Sequence, residues 1–392
     1  MSPTEPSTPQ TPTALDRLII ADATTHMPAT PGRDLLVLDD PTGALTGWAL
    51  DQVGEGGRVL SRQRLYTDAQ NLRTRYPNPA LIIAGLTPQG QIEPTTFGLG
   101  DFLKAHAFDG TLAIGRLPKS HAALADIAHD FASYQVGAGR QAALLLGGNT
   151  KHMQVSFNQT LGRDLSQVQG LRGQGKHRCL LATGPQPADS PAHQAGPLKA
   201  VGGVFSGAKP DRGGQLLAAC ALAHLANARP SGPVTLLDLG CGNGSVTAQV
   251  LKNLPAGVEV ARVWASDVDL DAVRSASLNL GQDARVEVTW DNAASRLQEQ
   301  SLDYVLLNPP FHTGTAVDLS LVGPLLDSAV RLLAPGGRLF LVHNSHARYR
   351  PQVEARFEQV QQLERTPTFT VLTATAPAGA VSSVHHQEVT EA

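Results

Sequence analysis

Short aliphatic runs that stop abruptly at glycine or polar residues recur along the whole chain. In the first half they are Leu35-Leu36-Val37-Leu38, Leu81-Ile82-Ile83, Leu112-Ala113-Ile114, Ala143-Leu144-Leu145-Leu146 and Leu180-Leu181. Amphipathic segments lie between some of them, and residues 122–134 have helical spacing. The second half repeats the plan more sharply. Its pattern predicts strands at 235–239, 260–266, 285–289, 303–307 and 338–343. Helices fit 213–228, 245–254, 269–280 and 321–333, the last closed by Ala334-Pro335-Gly336-Gly337. Runs apolar on both faces, alternating with helices, predict an α/β fold with largely parallel sheets.

A chain of 392 residues exceeds one core, so two domains are expected. The Pro/Thr-rich residues 1–14 read as a disordered tail, and residues 15–183 as the first domain. Residues 184–200, rich in Pro, Ala and Gly, read as a linker. The second domain is expected over 201–376, with 377–392 a flexible tail.

The halves read as a duplication. The run from Leu36 to Gly43 can be laid over that from Leu237 to Gly244, and Leu144 to Asn149 over Phe340 to Asn344. Where the second half has Gly240 and Gly242, the first has Asp39 and Pro41. Such a loop cannot bring bare backbone against a ligand in the same way. The first domain is therefore expected to keep the fold without the ligand site.

Hydrophobic residues at 42% and charged ones at 17% fit a globular protein, and a net charge of −3 argues against coating nucleic acid by bulk charge. Three cysteines (Cys179, Cys220 and Cys241) suit a reducing cytoplasm, not a disulfide scaffold. No stretch approaches the roughly eighteen apolar residues of a membrane span. A cytoplasmic monomer is expected, with no metal and no membrane partner.

Two strand ends carry the chemistry. Asp238, Gly240, Cys241, Gly242 and Gly244 follow one strand and open a helix. The glycine spacing is not that of the dinucleotide fingerprint, which excludes a nicotinamide oxidoreductase. An acid in such a loop repels a pyrophosphate and suits the cationic sulfonium and amino group of S-adenosyl-L-methionine. The next strand ends at Asp267-Val268, where a carboxylate accepts bonds from ribose hydroxyls in nucleotide folds, although Asp267 also suits a helix cap. The following strand ends near Asp291-Asn292, which fit adenine contacts or a plain turn. Cys241 has no companion ligands and reads as a small filler.

The second strand end is Asn308-Pro309-Pro310-Phe311-His312. A nitrogen attached to an aromatic base is a poor nucleophile because its lone pair is delocalised. The Asn308 side-chain carbonyl and the Pro309 backbone carbonyl can hold its hydrogens and direct that lone pair. The prolines fix the loop, and Phe311 can stack on a base turned out of its helix.

These residues resemble the class I S-adenosylmethionine-dependent methyltransferases, and Asn308 to His312 narrows the likeness to amino methyltransferases. Val204-Phe205-Ser206, then Asp211-x-Gly213-x-Gln215, is similar to the lead-in of the ribosomal-RNA guanine-N2 methyltransferases. Those are the small-subunit methyltransferase C type and its large-subunit relative. The resemblance implies two tandem Rossmann-like domains, the first degenerate and the second a seven-stranded class I methyltransferase sheet. It implies that Asp238, Gly240, Gly242, Asp267 and Asn292 contact the cofactor and that Asn308 and Phe311 meet the guanine, with Asp211 and Gln215 at the pocket entrance. In the last strand, Phe369-Thr370-Val371-Leu372 stands where relatives tend to carry Lys and Tyr.

Between Arg140 and Arg178 six basic residues, among them Lys151, Arg172 and Lys176, face a single acid, Asp164. A second run, from His346 to Arg350, contains Arg348. Together they suggest a local footprint for ribosomal RNA or a ribosomal particle, the small subunit preferred. The rival readings are a protein-glutamine or DNA-adenine N-methyltransferase and a ribosome assembly factor without catalysis.

Overall fold

The computed structural model describes residues 11–191, 196–309 and 322–378. Pro310, Phe311 and His312 lie outside the described residues, as do most of both expected tails. The chain forms two compact units: residues up to 209 with 268–278, and residues 210–267 with 279 onward.

The first unit starts with helix α1 (Ala14–His26), then β1 (Leu35–Leu38), α2 (Ala44–Val53), β2 (Val59–Arg62), α3 (Tyr66–Arg75) and β3 (Leu81–Ile83). There follow α4 (Leu99–Ala105), β4 (Leu112–Arg116), α5 (His121–Gly137), β5 (Ala143–Asn149), α6 (Ser156–Leu161), β6 (Leu165–Gly170) and β7 (His177–Pro185). The sheet order is β3-β2-β1-β4-β5-β7-β6, parallel except where β7 pairs with β5 and β6. Leu36 and Leu38 face one core cluster while Leu35 and Val37 face another, so the strand is buried on both sides.

The second unit holds α7 (Arg212–Ala228), β8 (Val234–Leu239), α8 (Ser245–Lys252) and β9 (Val260–Asp267). Helix α9 (Leu270–Leu280) follows, with β10 (Val286–Trp290), β11 (Leu302–Leu307), α10 (Val322–Leu332) and β12 (Leu333–Asn344). The described part ends with α11 (Arg350–Glu354), β13 (Glu358–Arg365) and β14 (Phe369–Thr375). Its order, β10-β9-β8-β11-β12-β14-β13, repeats that of the first sheet strand for strand. The duplication is thus a property of the topology, not only of a few aliphatic runs.

Several elements differ from the sequence expectation. Helix α1 begins inside the expected tail because Thr13 and Asp16 form a reciprocal cap. Strand β7 extends to Pro185, two residues into the expected linker. Strand β2 ends in Ser61 and Arg62, both buried, which hides it from an apolar-run reading. The guanidinium of Arg62 lies 2.9 Å from Asp271, on the part of α9 that clusters with the first unit. Strand β13 is almost wholly exposed, and its pairing with β14, not burial, defines it.

Candidate active site

Strands β8 and β11 are neighbours in register, with Leu239 opposite Leu307. One residue further, Gly240 starts the glycine loop and Asn308 starts the proline loop. The two motifs therefore leave adjacent strand ends, at the carboxyl edge where open α/β sheets bind ligands.

The glycine loop is built to expose backbone. Gly240 and Gly242 have φ of +78° and +55°, and a Cβ added to either would meet nothing within 4 Å among the described residues. The amides of Gly240 and Cys241 both donate to the Ser266 carbonyl, which folds the loop over the end of β9. Asp267 accepts from the Gly242 amide at 2.9 Å. Asp238 is buried and accepts from the Thr247 amide at 3.2 Å and its hydroxyl at 2.7 Å, pinning the first turn of α8 to β8. Burial pushes the Asp238 carboxyl up to about 6, against the bonds from Thr247. Burial likewise drives the Cys241 thiol well up, which suits the inert filler expected of it.

The remaining candidates divide. Asp291 holds its own turn, accepting from the Ser295 hydroxyl at 2.7 Å and the Arg296 amide at 3.0 Å, while Asn292 is exposed. That arrangement matches the turn reading of Asp291. The start of α9 is held by Asp269, which accepts from the Asp271 amide. Val268 gives its carbonyl to the Tyr66 amide within the first unit.

Asn308 donates from Nδ2 to Oδ2 of Asp211 at 3.1 Å, across 97 positions of sequence. Its Oδ1 is buried and has no hydrogen-bond partner among the described residues. Asp211 is the N-cap of α7, and Gln215 is exposed one turn later. No local sequence signal points to the Asp211–Asn308 bond; the tertiary fold makes it.

The basic candidates also separate. Lys151, Arg172, Lys176 and Arg348 are all exposed. The Thr150 amide donates to the Lys176 carbonyl, which sets Lys151 and Lys176 at the same end of the first sheet. Arg140, by contrast, is tied to the Phe108 carbonyl at 2.7 Å and serves the fold.

The first unit has a cavity of about 540 Å³ at the matching edge of its own sheet. Arg62, Arg64, Arg116, Lys119 and Arg274 line it together with Asp39, Asp68, Asp126, Asp130 and Asp271. Five cations against five carboxylates leave no net pull on an anion.

Known proteins match this architecture. The family model "Methyltransferase small domain" covers residues 196–373. Ribosomal RNA large subunit methyltransferase G of Pseudomonas entomophila is 29% identical over 92% of each chain. Ribosomal RNA small subunit methyltransferase C of Pseudomonas fluorescens is 40% identical over 41% of this chain and 45% of its own. The T. thermophilus 16S rRNA N2 methyltransferase RsmC, solved with AdoMet and guanosine, aligns over 95% of this chain and 94% of its own. Its TM-score is 0.67 at 20% identity, which establishes the shared tandem fold.

Residues 196–373 form a methyltransferase domain.

For a methyltransferase the site is coherent. Among the described residues, the bare glycine backbone opens onto space that no side chain fills, a carboxylate ends the next strand, and an acceptor without a partner stands at the neighbouring strand end. These features fit a cationic nucleoside cofactor and an amine acceptor. Among the described residues no group of His, Cys, Asp or Glu is placed to hold a metal ion, and no helix is long and apolar enough to cross a membrane.

Proposed function

We propose that this enzyme methylates the exocyclic N2 amine of one guanine in ribosomal RNA, using S-adenosylmethionine. The observation that carries the reading is the Oδ1 of Asn308, buried and without a hydrogen-bond partner among the described residues, at the strand end adjacent to the one that starts the glycine loop. The large ribosomal subunit is at least as good a target as the small one. In sequence, the match that spans nearly the full chain is to a large-subunit enzyme and the small-subunit match extends over less than half, while the solved structure that aligns over 95% of the chain is of a 16S rRNA enzyme. The small subunit expected from the sequence and the large subunit therefore both stand as targets.

When bound, S-adenosylmethionine supplies an electrophilic methyl group on a sulfonium. Gly240 and Gly242 would let backbone approach it, and Asp267 would accept bonds from its ribose hydroxyls. The Asp238 carboxylate would favour the cationic end. Asn308 Oδ1 and the Pro309 carbonyl would each accept one hydrogen of the guanine amine and so free its lone pair. Phe311 would stack on the base, with His312 beside it. Lys151, Arg172 and Lys176 on the first unit, and Arg348 on the second, would contact phosphates, so that the first unit serves recognition. The enzyme is taken to act as a cytoplasmic monomer.

Labelled S-adenosylmethionine, incubated with separated ribosomal subunits and with protein-free ribosomal RNA, tests this directly. The expected result is label on a single guanine. Label on a ribosomal-protein glutamine, on an RNA base other than guanine, or nowhere would overturn the assignment.

A further inference from the structure

We propose that Asp211 is the positioning residue of Asn308 and fixes which atom of its amide is offered to the substrate. An asparagine side chain presents an oxygen and an amino group of nearly equal size, so either can face a ligand. Here the choice is removed. Oδ2 of Asp211 lies 3.1 Å from Nδ2 of Asn308, and an ionised carboxylate can only accept. Turning the amide over would set two acceptors against each other. The oxygen is therefore the free atom, and it is the one left buried without a partner among the described residues. Buried polar atoms of that kind call for an explanation, and a ligand that completes them is one.

Asp211 is itself held. The same Oδ2 accepts from the Gly214 amide at 2.9 Å, so the first turn of α7 fixes the carboxylate that fixes the amide. Gly214 permits the close approach: a Cβ there would stand 2.9 Å from Val246 Cγ2 and 3.5 Å from Asn308 Nδ2. The proposal rests on Asn308 being the acceptor for the guanine amine, and it adds the residue that makes Asn308 an acceptor and not a donor.

A plain helix cap would also explain Asp211, and D211S separates the two roles. Serine caps a helix about as well as aspartate but is too short to hold Asn308. The expected result is a kcat lower by about a hundredfold, the scale of losing one preorganised contact. The dissociation constant for S-adenosylmethionine and the thermal midpoint should stay close to wild type. A swapped pair gives the second test. In N308D two carboxylates oppose each other and transfer collapses. D211N/N308D restores one donor and one acceptor between the two side chains, with the new amide oxygen turned to the Gly214 amide, and should recover at least about tenfold over N308D. D211S turning over at the wild-type rate, or a swapped pair no better than N308D, overturns the role of Asp211. Should D211S fail to fold, the swapped pair decides alone. N308A is the control for the underlying reading: if it transfers normally, Asn308 is not the acceptor and both ideas fall, whereas an inactive N308A beside a normal D211S removes only Asp211.

Discussion

Arg116, the last residue of β4, takes the register position that Asn308 takes just past the end of β11. Leu38 pairs with Gly115 in the first sheet as Leu239 pairs with Leu307 in the second, and the next residues are Arg116 and Asn308. Each is tied to the start of the unit's first helix, Arg116 to Asp16 at 2.6 Å and Asn308 to Asp211 at 3.1 Å. Burial pushes the Asp16 carboxyl up, but bonds from Thr13 and Arg116 outweigh it and hold the group below its usual range. An arginine has only donors, so no acceptor for an amine survives at this position of the first unit. The same register puts Asp39 at the place of Gly240, Pro41 at that of Gly242 and Gln63 at that of Asp267. The two units share one strand–loop–helix plan and this tie, and only the second has the glycines and the amide at these positions.

One cofactor per chain follows. Calorimetric titration with S-adenosylmethionine is expected to give a stoichiometry of one. G242A should weaken that binding more than tenfold, because a side chain would project into the open space at the loop. The φ of +55° adds a backbone penalty of about 1–2 kcal/mol. Two sites per chain, or unaltered affinity in G242A, would contradict this.

N308A is expected to bind the cofactor normally while transfer falls by about two to three orders of magnitude, the range seen when one preorganised polar contact is removed. Single-turnover transfer to ribosomal RNA measures the chemical step apart from product release.

Asp238 predicts two pH effects of opposite kind. Its folded pKa of about 6 lies above the ordinary value of 3.8, so the folded state holds this proton more tightly than the unfolded state does. The apo protein therefore keeps this contribution in full below about 4 and loses it as pH rises to about 6, by an amount on the order of 3 kcal/mol. Denaturant titrations across that window should show the slope, and D238N should flatten it. Cofactor affinity runs the other way: the carboxylate is needed for a cation, so affinity drops about tenfold per pH unit below 6 in the wild type alone.

The triple variant K151A/R172A/K176A should weaken RNA binding alike across RNA sequences. The slope of log affinity against log salt should fall by about 2 to 3, since each lost phosphate contact removes roughly 0.7–0.9. Saturating kcat should stay at the wild-type value. An unchanged salt slope would show that these side chains do not touch phosphate.

The sequence by itself determined the α/β plan, the repeat and the places of the glycine and proline loops. A strand buried on two faces must be continuously apolar, and a loop that exposes backbone must be glycine-rich, so Leu236 to Gly244 and Leu306 to Pro309 declare themselves locally. Strand β2 stayed hidden because its charge is neutralised by Asp271, more than two hundred residues away. Strand β13 stayed hidden because only backbone pairing defines it. The aim of the Asn308 amide was equally out of reach. A hydrogen bond to Asp211 exists only once α7 is packed beside β11, and no run of neighbouring residues encodes a contact made across the fold.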